Sequence, residues 1–290
     1  MNETQSMANM KVLWIAWLLG ISPIIHAQED ALLWRISGGG LDKPSYLYGT
    51  IHLICPDDLR LSDSLPSALA RSTKLYLEID MDEPGLMLKT MRMSMQTSTT
   101  LKELYTPEQY ARLDRFLKDT LGMGASLFNR MKPFTLLSAL YARIPACRKS
   151  VSVEERILDM AKKQRKEVLG LETLEDQFAV FDRIPDSAQA KMILDMIDHF
   201  PEQQEEFIRM VDAYRNQDLS ALSAMMNASP DMVGFEEILL LTRNRNWIPV
   251  MQKAMAQETV FFAVGAGHLS GPEGLLALLR KSGYDVHPLR

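Results

Sequence analysis

Apolar positions recur with two different periods along this chain, and the change of period divides it into three regions. LLWRIS (32–37) and SYLYGTIH (45–52) flank GGGLDKP, a turn-forming connector, so the first region opens as a β-hairpin. LSDSLPSALARS then has helical spacing, and KLYLEID (74–80) alternates as a short strand ending in Glu78-Ile79-Asp80. The middle is helical. Thr106-Pro107-Glu108-Gln109 is a capping box with proline in the first turn, and Tyr110, Leu113, Phe116, Leu117 and Leu121 follow on one face. Ser152-Val153-Glu154-Glu155 opens a second helix with Ile157, Leu158 and Ala161 as its apolar stripe, leading to the strand candidate EVLGLE. Helical spacing continues from Asp186 to Met251. The last region repeats the first: TVFFAVGAGHL reads as a buried strand, Ser270-Gly271-Pro272-Glu273 as a helix start, Gly283 as a left-handed C-cap, and Tyr284-Asp285-Val286-His287 as a closing strand.

The pattern predicts an α/β fold: a mixed β-sheet built from two related strand-GxxH-helix-strand halves, with a large helical middle lying over it. Neither a composition shift nor a linker interrupts residues 28–290, which read as one unit. Residues 1–27 read differently. Lys11 precedes VLWIAWLLGISPII, an apolar run of signal-peptide length, and His26-Ala27-Gln28 suits cleavage before Gln28. The run is short for a membrane span, so no stable span is expected once it is removed, and a periplasmic or secreted protein follows.

Composition narrows the function. The chain of 290 residues is 47% apolar with net charge −5, enough for one sizeable core. Without a basic stripe, nucleic acid is excluded as a partner. Nineteen methionines are scattered through helical segments and read as gap-fillers of the core. The only two cysteines, Cys55 and Cys147, are a candidate disulfide in an oxidising compartment.

Chemistry concentrates on the repeated spacing. Gly49-Thr50-Ile51-His52 and Gly265-Ala266-Gly267-His268 each end an apolar strand, and Glu78 and Glu172 end two more. Strand carboxyl ends gather on one edge of an open sheet, where ligands bind. Two imidazoles with one or two carboxylates are a suitable ligand set for a divalent metal, and a remaining carboxylate can act as general base toward water. Arg243, which closes a long apolar helix, is a candidate for orienting a carboxylate or stabilising an anion, and Gln177 is a candidate neighbour of Glu172. His199 and His287 read as a helix-end and a terminal residue outside the site. No GxSxG, P-loop, HExxH or dinucleotide fingerprint is present.

GTIH, the strand ending in Glu78, GLETLEDQ, AYRNQDL, the RNxxW segment and AVGAGHLSGPEGLLALLRKSGYDV occur in an order that resembles the TraB/PrgY/GumN family. The family includes the TIKI metalloproteases and is distantly linked to erythromycin esterase and haem-binding ChaN proteins. The resemblance implies a compact α/β fold and function for His52, His268 and Glu78, with Glu172, Gln177, Arg243 and Asn244 in matching segments. It also implies a divalent ion of manganese or cobalt type, beside the zinc that the donor residues alone would equally allow. Many relatives carry an aspartate just before the helix that precedes the LET segment, where this chain has Ser152-Val153-Glu154-Glu155. Together these features give an exported metal-dependent hydrolase, read here as a peptidase. Its metal ligands would be His52, His268 and Glu78, with Glu78, Glu172 and Arg243 as catalytic groups on a peptide or small-molecule substrate. The alternative is a non-catalytic module binding a peptide or haem-like ligand in the same crevice.

Overall fold

The computed structural model describes residues 30–289 other than 96, 97, 230, 231 and 233, so the leader expected over residues 1–27 lies outside the described residues. The opening segments form a hairpin, β1 (Leu33–Gly38) and β2 (Ser45–Thr50). β3 (Lys74–Leu77), β4 (Glu167–Gly170), β5 (Val260–Gly265) and β6 (Tyr284–Leu289) complete one mixed sheet of order β4-β3-β5-β2-β1-β6. β4, β3, β5 and β2 are mutually parallel, while β1 runs antiparallel to both β2 and β6. All of β2 is buried, and so is β5 up to Val264, because central parallel strands are covered on both faces. β5 lies between β2 and β3. The two strand–histidine–helix–strand units therefore interleave within one sheet.

Helix α1 (Ser64–Arg71) connects β2 to β3. Between β3 and β4 come α2 (Leu86–Met93), α3 (Pro107–Leu121), α4 (Pro133–Tyr141) and α5 (Val153–Lys163). Between β4 and β5 come α6 (Leu174–Phe181), α7 (Asp186–Asp198), α8 (Phe200–Arg215), α9 (Leu219–Ala228) and α10 (Thr242–Met255). A π-helical turn, Glu237–Leu241, runs directly into α10, and α11 (Leu275–Lys281) leads to β6. The helical middle carries an apolar cluster of its own, with Leu113, Leu117, Leu137, Leu140 and Ile193, beside the sheet-centred core of Leu47, Phe261, Phe262, Ile157 and Trp247. One core was expected; two clusters form because α3, α4 and α7 bury their stripes against each other.

Local expectations were met where side-chain chemistry decides a boundary. Thr106 caps α3 reciprocally: its Oγ1 accepts from Gln109 N at 3.3 Å, and Gln109 Oε1 accepts from Thr106 N at 2.9 Å. Thr106→Ala is expected to cost about 1 kcal/mol, read as a lower urea midpoint. An unchanged midpoint would mean that packing of Leu113 and Leu117 alone starts the helix. Gly283 takes φ +90°, as its C-terminal position requires. At the other end of α11 the expected start fails: Gly274 is the N-cap, without a side-chain cap, and Ser270 lies before it. The methionines also divide. Met192, Met196, Met251 and Met255 are core residues, but Met87, Met91, Met95 and Met123 are exposed.

Cys55 and Cys147 form the disulfide, with Cα atoms 5.8 Å apart. Next to it, Ile54 and Val151 exchange backbone hydrogen bonds of 3.0 and 2.9 Å. Together they fasten the loop after β2 to the segment that starts α5. Among the described residues no helix is long and apolar enough to cross a membrane.

Candidate functional site

Four parallel strands deliver four side chains to one edge of the sheet. Glu78 directly follows β3, Glu172 lies two residues beyond β4, His52 two beyond β2, and His268 ends a 3₁₀ turn (Ala266–His268) after β5. Since β3 and β2 flank β5, Glu78 and His52 approach His268 from either side. The helical middle adds Arg243 and Asn244 from the first turn of α10, Gln177 from α6 and Glu154 from α5.

Arg243 is the buried hub. Its Nη2 donates to Glu78 Oε2 and Glu172 Oε1, both at 2.6 Å, and its Nε donates to Glu172 Oε1 at 3.0 Å. Nη1 donates to the Leu239 carbonyl of the π-helical turn at 3.1 Å, and the guanidinium stacks 4.8 Å from the Trp247 ring centroid. A planar fork with five donors satisfies this set of acceptors; an ammonium point charge does not. Trp247 Nε1 donates to Glu172 Oε2 at 3.1 Å, so both oxygens of Glu172 are engaged.

Glu78 also accepts from the Gly265 amide at 2.8 Å and from Gln177 Nε2 at 3.4 Å. Burial works against its charge but is outweighed by attraction to His268, Arg243 and His52 and by the Gly265 N–H, holding its pKa at about 2. His268 is itself neutral at neutral pH, so the cations that favour ionised Glu78 there are Arg243 and His52. Glu172 moves the other way: burial raises its pKa against the opposing pull of Arg243. The two carboxylates are thus pushed apart by their surroundings, a pattern found where acid and base roles separate.

Both imidazoles are oriented through Nδ1. Asn244 Nδ2 donates to the carbonyls of Glu273 (2.9 Å) and His268 (3.4 Å), which turns its Oδ1 toward His268 Nδ1 at 2.6 Å. Oδ1 can only accept, so the proton sits on Nδ1 and the lone pair on Nε2. Nε2 lies 3.3 Å from Arg243 Nη1 and 3.9 Å from Glu78 Oε1. Burial lowers the pKa of His268 to about 3, the unprotonated state a ligand or base requires. His52 Nδ1 donates to Glu154 Oε1 at 2.7 Å, and that bond raises its pKa to about 9 against partial burial of the site. The His52 side chain is 73% exposed, so solvent screens this pair and tempers the shift.

The side chains converge at Gly265. A Cβ on this residue would stand 3.3 Å from Glu78 Oε1, 3.7 Å from His268 Cδ2 and 4.0 Å from His52 Nε2. His52, His268 and Glu78 therefore border one small space, which exists because residue 265 has no side chain. His268 borders it through Cδ2 and His52 through Nε2. Their Nδ1 atoms are held by oxygen acceptors, the outer support that aims Nε2 of a metal-binding histidine. On these grounds the donor set fits a divalent ion, although no preformed group of three or more His, Cys, Asp or Glu ligands is present among the described residues.

The sequence singled out His52, His268, Glu78, Glu172, Gln177, Arg243 and Asn244, and the structure brings all seven to this edge. His199 lies at the α7–α8 junction and His287 on the exposed face of β6, both away from it. Glu154, in the segment standing where relatives carry an aspartate, was not assigned to the site. Its Oε1 accepts from Thr50 Oγ1 at 2.6 Å as well as from His52, and its Oε2 accepts from Ser152 Oγ at 2.8 Å. The available signal was position: Glu154 shares the buried face of α5 with Val153, Ile157 and Ala161, where a charge needs a partner. Burial would raise its pKa, but the hydrogen bond and charge of His52 lower it, and it stays ionised.

An open α/β sheet with histidines and carboxylates at its carboxyl edge is thus the class of protein defined by the fold and the site. The family model of the TraB/PrgY/gumN family matches residues 32–288, and the chain belongs to this family. A Shigella flexneri protein described as "Uncharacterized protein YbaP" is 25% identical over 247 residues, covering 82% of this chain and 89% of its own length. The zebrafish (Danio rerio) "Metalloprotease TIKI1" is 24% identical over 322 residues, 89% of this chain and 63% of its own. A "Metalloprotease TIKI homolog" of Amphimedon queenslandica is 23% identical over 325 residues, 91% of this chain and 62% of its own. The chain therefore spans less than two thirds of these metalloproteases. No solved structure matches it.

Proposed function

We propose that the protein is an exported metal-dependent hydrolase that cleaves peptides at the carboxyl edge of its sheet. His52, His268 and Glu78 would hold a divalent ion of manganese, cobalt or zinc type, each GxxH unit supplying one imidazole. When bound, such an ion supplies Lewis acidity toward water and a substrate carbonyl. The remaining residues act on position and protons. Arg243 fixes the two carboxylates and presents positive charge beside the shared space, where an oxyanion develops during acyl transfer. Glu172, its pKa raised by burial, would act as general base. Asn244, Glu154 and Gln177 hold His268, His52 and Glu78 in register.

The observation that carries this reading is the convergence of two Nδ1-anchored imidazoles and an ionised carboxylate at Gly265. The metalloprotease relatives support peptides as substrate, and the disulfide supports an oxidising compartment, periplasmic or extracellular. Metal analysis of purified protein tests it. Wild type is expected to retain a divalent ion and cleave a fluorogenic peptide mixture; His52→Ala and His268→Ala are expected to lose both. Gly265→Ala, whose Cβ fills the shared space at a φ of −49° open to any residue, should lose activity with little change in melting temperature. Equal metal content in wild type and both histidine variants would overturn the assignment.

A further inference from the structure

AYRNQDL (213–219) joins α8 to α9 and contributes no side chain to the carboxyl-edge site. Two of its side chains nevertheless enter the sheet. The antiparallel register of β1 and β2 pairs Leu33 with Tyr48, so Leu32 and Gly49 face each other as the next pair. A hydrogen-bonded antiparallel pair exchanges two backbone bonds. Here only one forms, from Gly49 N to Leu32 O at 2.8 Å. In place of the other, Leu32 N donates to Gln217 Oε1 at 3.2 Å, and Gly49 O accepts from Tyr214 Oη at 3.0 Å. The last rung of the hairpin is opened, and one short segment takes up both of its ends.

Both residues are committed to this task. Tyr214 is buried, with its hydroxyl also 3.3 Å from Tyr48 Oη. Gln217 stands at φ +56°, a left-handed conformation that is costly for a residue with a side chain and persists where the surroundings impose it. Arg215, between them, pairs at 3.2 Å with Asp58 in the loop that follows His52. The opened rung is also where the two GxxH units touch. A Cβ on Gly49, the first residue of GTIH, would stand 2.7 Å from Leu269 Cδ1 and 3.2 Å from Ala266 Cα. The next residues, Thr50 and then His52, reach Glu154. Through α9 the same segment meets the second unit: Met226 Sδ and Cε lie 2.6 Å from the Cβ position of Gly267, beside His268.

We infer that Tyr214 and Gln217 are positioning residues of the histidine site. By holding the opened rung at Gly49 they set where GTIH leaves the hairpin, and hence the spacing of His52 and His268. The inference rests on the proposed joint use of the two histidines, but the placement itself needs neither metal nor hydrolysis.

Imidazole ¹H–¹⁵N spectra of the protein in chelator, at one pH, read this placement, with His199 and His287 as distant references. Cobalt(II) titration reads its consequence. Tyr214→Phe keeps the ring and removes the hydroxyl from Gly49 O. It is expected to shift the His52 and His268 resonances, leave the two references in place, and weaken cobalt binding about tenfold. Tyr48→Phe removes the neighbouring buried hydroxyl, which does not bond Gly49 O, and should match wild type in both measurements. Gln217→Met removes the other half of the contact from a half-buried position and should also shift His52. Gln217→Glu keeps an accepting oxygen and should restore the wild-type spectrum. A wild type that binds no cobalt would refute the metal assignment and leave the resonances to decide this inference. Unchanged His52 and His268 resonances in Tyr214→Phe and Gln217→Met would overturn it, as would equal shifts in Tyr48→Phe.

Discussion

Arg243→Met is expected to destabilise the protein by about 3–5 kcal/mol. The substitution keeps the volume of the side chain but removes the cation that faces Glu78 and Glu172, leaving two buried carboxylates without a guanidinium between them. The repulsion that follows is relieved by protonation, and Glu172 is the group to take the proton because burial already raises its pKa. Glu78 retains the Gly265 amide and stays ionised. Adding Glu172→Gln to Arg243→Met should therefore restore part of the loss, with the two changes non-additive in a double-mutant cycle. Arg243→Lys should fall between, since one ammonium cannot reproduce the bonds from Nε, Nη1 and Nη2. Denaturant unfolding measures all of these. A loss below about 1 kcal/mol for Arg243→Met, the size of an exposed pair, would show that the carboxylates find water in its absence.

The second large effect is expected from the disulfide. Cys55 and Cys147 are separated by 92 positions, and closing a loop of that size restricts the unfolded chain by an amount worth about 4–5 kcal/mol on the chain-entropy account. Cys55→Ser/Cys147→Ser should unfold at a markedly lower denaturant concentration, and reductant should do the same to wild type while leaving the double variant unaffected. A functional consequence should accompany it. Cys55 is three residues from His52 and Cys147 seven from Glu154, so the bridge and the Ile54–Val151 pairing hold the two ends of the His52–Glu154 hydrogen bond together. Loss of the bridge is expected to weaken metal retention at temperatures where the fold persists. Unchanged stability together with two titratable thiols in denatured wild type would remove the argument.

Legibility in the sequence followed the range of the interaction. The capping box at Thr106, the buried stripe of Ile157, Leu158 and Ala161, the hairpin of β1 and β2 and the left-handed Gly283 depend on a few neighbouring residues, and all appear where expected. The start of α11 was misplaced because Ser270 carries cap chemistry, while the backbone contacts of Gly274 set the boundary. Methionine was read by composition and therefore wrongly for α2, since periodicity reports which residues share a face and not whether another element covers it.

The sequence by itself determined that this protein would build strands at both ends, end two of them in a glycine three residues before a histidine, and carry acids at the ends of two others. It placed the seven candidate residues on elements whose ends meet, because strand direction and side-chain period are local properties. Only the tertiary structure decided what those residues do to one another. Arg243 comes from a helix 165 positions after Glu78 in the chain and 71 after Glu172, and nothing in its own segment indicates that it bridges both. Glu154 became the partner of His52 through a contact across 102 positions. Burial raises the pKa of both Glu78 and Glu172, and only at Glu78 do the surrounding charges and the Gly265 N–H outweigh it; that difference is a property of packing, and packing is decided by the whole chain.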